Sequence, residues 1–341
     1  MSKHRTWEMR SGLLAVSLLA AVPASANDTT AQLGAGGLIL GRNDLIAMES
    51  EDLFISADKV TVDYVFRNNS DKDVETLVAF PMPDIEGSPY ANVDIPVDAS
   101  DNFLGFSVSI DGQEVKPQLQ HSVYAVGIDI GKELDANGVP YFPFGDATLK
   151  ALEMLSPEVA ADWQERGLIT INEYDEGSGM KSVREPLWQL RSAYWWKARF
   201  PAGKPVKVAH SYTPSVGGTA GVSFYMDGKF QGRYDDYKRR YCLDDGFERA
   251  VTKAAKAAAD GYPPYTETWL SYVLTSGGNW ALGTIGKFRL TIDKGDPASI
   301  VSFCGTGVKK TGPTTFEMTA QDFNPERDID ILILQPYDTG K

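Results

Sequence analysis

The stretch KVTVDYVFRNNSDKDVETLVAFPMP, residues 59–83, indicates a β-rich fold. Apolar and polar side chains alternate from Val60 to Arg67, and they alternate again from Val74 to Met82. Because successive side chains of a strand point to opposite faces, each run predicts a strand with one apolar face towards a core. The segment Asn68–Asp73 between them is rich in residues that favour turns. The stretch therefore predicts two strands joined by a polar turn.

The first 26 residues have the composition of a signal peptide. A basic start is followed by the apolar run Leu13–Val22 and then by the small residues Ala24-Ser25-Ala26. The apolar run has 10 residues, whereas a membrane-spanning helix needs about 20. We therefore expect cleavage after Ala26, export to the periplasm and no membrane span in the mature chain; the alternative is an uncleaved anchor.

The charge of the chain restricts its partners. The chain carries −13 at pH 7, and loss of residues 1–26, which carry +2, leaves −15. Such a charge repels phosphate backbones and disfavours nucleic acid as a partner. We expect a protein or glycan partner in the cell envelope. Residues 27–341 are long enough for one large β-domain or for two sub-sandwiches.

The chain has two cysteines, Cys242 and Cys304. In an oxidising compartment an isolated pair predicts a disulfide, and two buried thiols are the alternative. The sequence has no CxxC motif, so neither a redox motif nor a zinc knuckle is indicated.

Strand patterns outnumber helical ones, which predicts a mainly β fold of the sandwich type. Asp-Gly pairs at 111–112 and 227–228 stand between alternating runs and predict hairpins. A helical insertion is expected at about 146–167, and one helix that packs on a sheet at about 244–260.

No catalytic constellation is evident. His121 and His210 are the histidines that follow residue 26, and either could act as an acid or base, although ordinary strand histidines are the favoured interpretation. The sequence contains neither a GxSxG elbow nor an HExxH motif. We predict no catalytic residue, cofactor or metal site, although the abundant carboxylates leave an unrecognised pair open.

Two surface features are candidates for binding. Trp195 lies on the polar face of a predicted strand with Lys197 and Arg199, where it could anchor a partner or stack on a sugar. The alternative is that the helical insertion covers Trp195, or that it makes a cation–π contact with a neighbouring cation. The aromatic and basic run Arg233–Tyr241 could meet an acidic partner, or it could form a solvated edge before a helix.

Several separated blocks resemble one bacterial family. They are Asn27-Asp28-Thr29-Thr30 with Leu33-Gly34-Ala35-Gly36-Gly37-Leu38, Tyr64-Val65-Phe66-Arg67-Asn68 with Phe80-Pro81, Phe200-Pro201-Ala202-Gly203, Tyr241-Cys242-Leu243-Asp244-Asp245, Asn279-Trp280 with Ile285-Gly286-Lys287-Phe288-Arg289, and Pro325-Glu326-Arg327-Asp328-Ile329-Asp330-Ile331. In these the chain resembles domain of unknown function 4424, which implies an exported bacterial protein and supplies no catalytic residues. The strand–Asn–Phe-Pro pattern is also similar to the vault/inter-α-trypsin-inhibitor β-sandwich module, which binds proteins.

These observations favour a non-catalytic envelope protein that binds another protein or has a structural role. The first alternative is a carbohydrate-binding protein that uses exposed aromatic side chains. The second is an envelope polysaccharide hydrolase with an unrecognised pair of carboxylates.

Overall fold

A computed structural model of the chain describes residues 27–34, 37–88, 93–94, 102–175, 177 and 179–337. Strands dominate these residues, with a smaller share of helix, so the predicted mainly β fold is confirmed. The predicted signal segment, residues 1–26, lies outside the described residues.

The strands are, in chain order, β1 (Thr29–Gly34), β2 (Gly37–Gly41), β3 (Ile46–Ile55), β4 (Val60–Asn68), β5 (Val74–Pro81), β6 (Ile85–Glu86), β7 (Val93–Asp94), β8 (Ser107–Ile110), β9 (Gln113–Val115), β10 (Gln118–Ala125), β11 (Ile128–Asp129), β12 (Ile169–Asp175), β13 (Met180–Pro186), β14 (Gln189–Phe200), β15 (Pro205–Tyr212), β16 (Val216–Thr219), β17 (Tyr225–Met226), β18 (Lys229–Phe230), β19 (Tyr265–Tyr272), β20 (Ile285–Asp293), β21 (Ile300–Phe303), β22 (Lys309–Lys310), β23 (Thr315–Phe323) and β24 (Ile329–Pro336). The α-helices are α1 (Gly131–Ala136), α2 (Asp146–Glu153), α3 (Pro157–Glu165), α4 (Tyr234–Tyr241) and α5 (Asp245–Ala257), and 3-10 turns cover Thr275–Asn279 and Ala281–Gly283.

Three sheets make up most of the fold. Sheet A has the order β11-β10-β14-β5-β1-β2, with β6 added beside β14. Sheet B has the order β22-β23-β20-β3-β4-β15-β8-β9 and contains one parallel pair, β3 with β20. Sheet C has the order β21-β24-β19-β16-β7. Two-stranded ribbons, β12 with β13 and β17 with β18, complete the strands.

Sheets A and B pack face to face as a sandwich. The ring of Phe66 on β4 meets that of Phe200 on β14 edge-on at 5.9 Å, and the ring of Trp196 on β14 lies 5.2 Å from that of His210 on β15. Aromatic pairs at such distances add to the burial of apolar surface that drives the packing of two sheets. The predicted sandwich type is therefore what the structure shows.

The two strands predicted within residues 59–83 are confirmed, but they do not pair with each other. β4 belongs to sheet B and β5 to sheet A, so the turn between them carries the chain from one layer to the other. The buried amide of Asn68 stabilises this passage by donating to the carbonyls of Lys72 at 2.7 Å and Phe200 at 2.8 Å. Local alternation predicts a strand but not the strand it pairs with, because that choice depends on distant residues such as Phe200.

The predicted Asp-Gly hairpins are both present. Asp111 and Gly112 join β8 to β9 with φ values of 49° and 79°, and Asp227 and Gly228 join β17 to β18. Two successive residues with positive φ form the tight turn whose twist matches that of the strands, which is why Asp-Gly is favoured there.

Sheet C is buried on both faces. Leu270, Tyr272 and Ile331 on one face join the core of the sandwich, whereas Leu332 and Leu334 on the other pack beneath α4 and α5. The predicted sheet-packing helix is α5, whose N-cap Asp244 accepts from the Phe247 backbone N–H at 2.8 Å.

The predicted helical insertion is present as two helices, α2 and α3. Ser156 caps α3 by accepting from the backbone N–H of Val159, and Gly167 follows the helix with φ of 74°. Trp163 of α3 is buried in the sandwich core, which fixes the insertion to the sheets. The preceding helix α1 was not predicted.

Cys242 and Cys304 form a disulfide, with Cα atoms 5.1 Å apart. Cys242 follows α4, and Cys304 follows β21 at the edge of sheet C. The bond therefore fixes the end of α4 to the sheet on which α4 packs.

We predict that Cys242→Ala with Cys304→Ala lowers the free energy of unfolding by about 2–5 kcal/mol, because the bond closes a loop with a sequence separation of 62. Urea unfolding of the variant and of the oxidised parent measures the difference. The parent in reducing agent is the control and should show the same loss. A loss below about 1 kcal/mol in both would contradict the prediction.

Candidate functional site

A cleft of about 450 Å³ lies between one end of the sandwich and the helix α4. Its walls come from four places: the segment after β5, the end of β15 with the start of β16, one face of α4, and β19. The residues that line the cleft include Asp84, Glu86, Tyr212, Gly217, Arg233, Asp236, Tyr237, Arg240, Tyr241 and Trp269. Its volume is within the range of pockets that bind small ligands.

Aromatic side chains form the apolar part of the cleft. Tyr237 and Tyr241 are buried along α4, and the half-buried Trp269 on β19 faces them. The indole of Trp269 lies against Gly217 on the neighbouring strand β16, where an added Cβ would be only 2.1 Å from Nε1. Glycine at 217 therefore allows the indole to lie flat over the sheet.

Two arginines of α4 and its N-cap supply positive charge. Arg240 donates to Asp330 at 2.8 Å and to Ser271 at 3.3 Å, so its guanidinium is fixed in place. Arg233 is exposed, and its guanidinium lies 5.7 Å from the centre of the Tyr237 ring. Among the described residues Arg233 has no ion pair, so its charge is free to meet a ligand.

The hydroxyl of Tyr212 is a buried donor without a partner among the described residues. Burial raises the pKa of Tyr212, so the group remains a neutral phenol. An unpaired buried hydroxyl costs free energy unless something bonds to it, and this one belongs to a residue of the cleft lining.

Hydrogen bonds and an ion pair fix the side chains on two walls of the cleft. Glu267 is buried and accepts from the Tyr237 hydroxyl at 2.7 Å and from the backbone N–H of Ser223. On the opposite wall Asp84 pairs with Arg191 at 3.1 Å, while Glu86 is exposed. The cleft thus has the two arginines, the aromatic rings and Asp236 on one side, and Asp84 and Glu86 on the other. Such a site can bind and orient a ligand that carries both a carboxylate and an apolar part.

The predicted binding residues lie elsewhere, on the outer face of sheet A. Trp195 is half-buried, Lys197 is exposed, and Arg199 is exposed but pairs with Asp73 at 2.5 Å. The structure thus brings these three residues together on one face and apart from the cleft. Their binding role stays a prediction.

A hairpin contributes to this outer face. The backbone N–H of Leu38 on β2 donates to the Gln120 side chain on β10 at 2.9 Å, although three strands separate β2 from β10 in sheet A. The β1–β2 hairpin must therefore fold back across the outer face.

The two histidines are parts of the sandwich. His210 is buried and its Nε2 lies 3.0 Å from Asp28 Oδ1, with the rings of Phe80, Phe106 and Trp196 around it. His121 Nδ1 lies 2.8 Å from the hydroxyl of the buried Ser192 on the neighbouring strand. Neither residue is part of the cleft lining.

Sequence reasoning found part of the cleft and missed the rest. The aromatic and basic run Arg233–Tyr241 is predicted to meet an acidic partner or to form a solvated edge before a helix, and the structure shows it as the helix α4 with its N-cap. The i, i+4 spacing of Tyr237 and Tyr241 was the available signal for a helix face. Tyr212 and Trp269 carried no such signal, since their place in the cleft depends on strand pairing.

The described residues contain no helix that is long and apolar enough to cross a membrane. They also contain no group of three or more His, Cys, Asp or Glu side chains that could hold a metal ion.

Fold and site together define a mainly β protein with a polar and aromatic cleft between one end of its sandwich and the helix α4. The chain belongs to the family described as domain of unknown function (DUF4424), whose model matches residues 26–332. No curated protein matches the chain.

Among solved structures, the chain is similar to a crystal structure of a candidate nutrient binding protein from Legionella pneumophila, with 14% sequence identity and a TM-score of 0.41. The similarity covers 91% of this chain and 70% of that one. A likeness this low says nothing about the ligand of this chain.

We predict that Gly217→Ala lowers the free energy of unfolding by about 1–3 kcal/mol, because the new methyl group would displace the Trp269 indole. Urea unfolding monitored by circular dichroism measures the change. Gly221→Ala is the matched control, since an added Cβ there has no neighbour within 4 Å. Equal stability of the two variants would show that Trp269 does not lie on Gly217.

Proposed function

We propose that the protein is exported, loses residues 1–26 and acts as a binding protein of the cell envelope, with the cleft beside α4 as its ligand site. The observation that carries the proposal is an exposed arginine, Arg233, which has no ion pair among the described residues and lies in one cleft with the rings of Tyr237, Tyr241 and Trp269. A guanidinium only donates hydrogen bonds, so the ligand that fits it is an acceptor.

The side chains that line the cleft indicate the class of ligand. A guanidinium matches a carboxylate, to which it can donate two parallel hydrogen bonds. The rings of Tyr237, Tyr241 and Trp269 favour an apolar or ring-bearing part next to that carboxylate. Glu86 is exposed on the wall opposite α4, and Asp236 lies on α4 itself, so these carboxylates repel a ligand that is anionic throughout. A carboxylate-bearing peptide end or side chain meets these conditions, which agrees with a partner that is itself a protein.

Binding without catalysis is the simpler interpretation of the cleft. Its fixed groups are engaged in structural bonds, as Asp84 is with Arg191 and Arg240 with Asp330. A polysaccharide hydrolase would need two carboxylates free to act on either side of a glycosidic bond. Hydrolysis of cell-wall glycans by the purified protein would favour that alternative over the proposal.

We predict that Arg233→Gln weakens binding of a carboxylate ligand about tenfold or more, because a charge-assisted hydrogen bond contributes about 1.5–3 kcal/mol. Isothermal titration calorimetry with phenylacetate, N-acetylphenylalanine and a neutral hexapeptide that ends in phenylalanine provides the measurement. The control is Arg249→Gln, which removes an exposed arginine on α5 outside the cleft. If none of the three probes binds the parent protein more tightly than about 1 mM, the cleft is not a carboxylate site.

A second candidate is a docking surface on the outer face of sheet A. A shallow groove of about 720 Å³ is lined there by Leu33, Leu77, Lys197 and Arg199, among others. Leu33 is 60% exposed, and Trp195 lies on the same face next to Lys197. Exposed apolar side chains next to cations are common where proteins bind one another.

We predict that the parent protein recovers a protein partner by crosslinking and pull-down from periplasmic extract and that Trp195→Ala does not. Large aromatic side chains contribute much of the binding energy at interfaces. Tyr262→Ala, at an exposed tyrosine away from sheet A, is the control and should bind as the parent does. A fluorescence response to a cell-wall glycan panel that Trp195→Ala abolishes would assign the face to carbohydrate instead. Unchanged recovery with Trp195→Ala would leave the groove without a role in binding.

A further inference from the structure

The residues that follow the expected cleavage point are buried deep in the fold. Asn27, Asp28 and Thr29 each have 0% exposure, although an Asn-Asp-Thr sequence is polar. Chain ends are ordinarily exposed and poorly ordered unless specific bonds hold them. A polar start buried this completely therefore needs a set of partners.

Those partners form a buried polar cluster, which we define as Asn27, Asp28, Glu51, Tyr64, His210, Tyr272 and Ser276. The backbone nitrogen of Asn27 donates to Ser276 Oγ at 2.7 Å, and the Ser276 hydroxyl donates back to the Asn27 carbonyl at 2.6 Å. The Asn27 side chain donates to Glu51 Oε2 at 3.1 Å and accepts from the Tyr64 hydroxyl. Asn27 thus contacts the buried carboxyl group of Glu51 through its side chain and Ser276 through its backbone nitrogen.

The cluster has more negative than positive groups. Glu51 on β3 and Asp28 are both buried carboxyls, and His210 on β15 pairs with Asp28. Glu51 accepts from Asn27 and Tyr272, and among the described residues it has no ion pair. Asp28 Oδ2 is buried and, in the same part of the chain, has no hydrogen-bond partner. Buried carboxylates ordinarily have a cation nearby, so the cluster lacks one positive group.

We propose that this group is the α-ammonium of Asn27, and that removal of residues 1–26 completes the buried polar cluster. Hydrolysis of the Ala26–Asn27 peptide bond by an envelope peptidase consumes one water. The hydroxyl of that water goes to the Ala26 carbonyl carbon and its hydrogen to the Asn27 nitrogen, which takes up a further proton at neutral pH. One donor then becomes three, next to Ser276 and in the cluster that contains Glu51 and Asp28. The inference rests on the export that the proposed function assumes, but not on the cleft.

The pH dependence of stability distinguishes the two forms of the chain. While the Asn27 nitrogen is an amide, burial raises the pKa of Glu51 to about 8 from an ordinary value of 4.5, and burial raises the pKa of Asp28 as well. The folded state then holds protons that the unfolded state releases, so stability falls as the pH rises from about 4.5 to about 8. The phenols of Tyr64 and Tyr272, whose pKa values burial also raises, stay neutral in this range.

The ammonium reverses this behaviour. A nearby positive charge favours the ionised carboxylates, and they in turn raise the pKa of the amine above its ordinary value of about 8. A group with a raised pKa in the folded state contributes stability below its unfolded pKa and loses it as the pH rises further. The chain that starts at Asn27 should therefore keep its stability from pH 5 to about 8 and lose it above.

The test compares a chain that starts at Asn27 with one that starts at Ser25 and so retains two residues before the cleavage point. Urea and thermal unfolding are measured between pH 5 and 9. At pH 7 the chain that starts at Asn27 should be more stable, with a melting temperature at least about 3 °C higher. Glu51→Gln in both chains is expected to remove most of the difference, because it removes one acceptor of the ammonium charge. Equal stability of the two starts across this range overturns the proposal.

Two further measurements keep the test decisive if the Ser25 start does not fold. In the folded Asn27 chain the α-amine should resist an amine-selective reagent that labels it in urea, and the fall in stability above pH 8 should disappear with Glu51→Gln. Labelling as fast as in urea overturns the proposal. Sequencing the N-terminus of the exported protein is an independent check, since a start other than Asn27 overturns this inference and leaves the cleft untouched.

Discussion

The three sheets meet at one buried segment, Asn27–Thr29, which begins sheet A and bonds to sheet B and to the turn that follows β19 of sheet C. Asp28 pairs with His210 of sheet B, and its carbonyl accepts from the Trp280 indole at 2.6 Å. Asn27 bonds to Glu51 of sheet B and to Ser276, which follows sheet C, while Thr29 begins β1 of sheet A. Because buried polar groups are costly when a partner is missing, this network tolerates little displacement of one sheet against another. The network therefore determines how the sheets are placed.

The cleft is a consequence of that placement. Tyr212 ends β15 of sheet B, Trp269 lies on β19 of sheet C, and Tyr237 lies on α4, which packs on the outer face of sheet C. No single sheet contains the site, so its shape is determined by the angle between layers. The Cys242–Cys304 bond fixes the last of these layers, since it joins the end of α4 to the end of β21. Two distant constraints, one polar and one covalent, thus fix one binding geometry.

Local patterns predicted the elements well and their arrangement poorly. The alternation in residues 60–67 and the Asp227-Gly228 turn each depend on neighbours within a few residues, and each is present as predicted. The separation of β4 and β5 into two layers depends on residues more than a hundred positions away, such as Phe200. The polar sequence at Asn27 resembles an exposed start, because its partners Ser276 and Trp280 are about 250 positions further on. Sequence patterning predicts which face of a strand is buried, but not the distant groups that bury a polar segment.

The parallel pair β3 and β20 has a consequence for the order of folding. β3 is near the start of the chain and β20 near its end, and they are neighbours in the middle of sheet B. Under the export proposed above, β3 and β4 enter the envelope early, but the other side of β3 has no partner until residues 285–293 arrive. Pairing across such a sequence distance is slow, and an open strand edge can pair with other chains meanwhile. A chain with this strand order is thus expected to need protection by a chaperone until residues 285–293 are available to pair with β3.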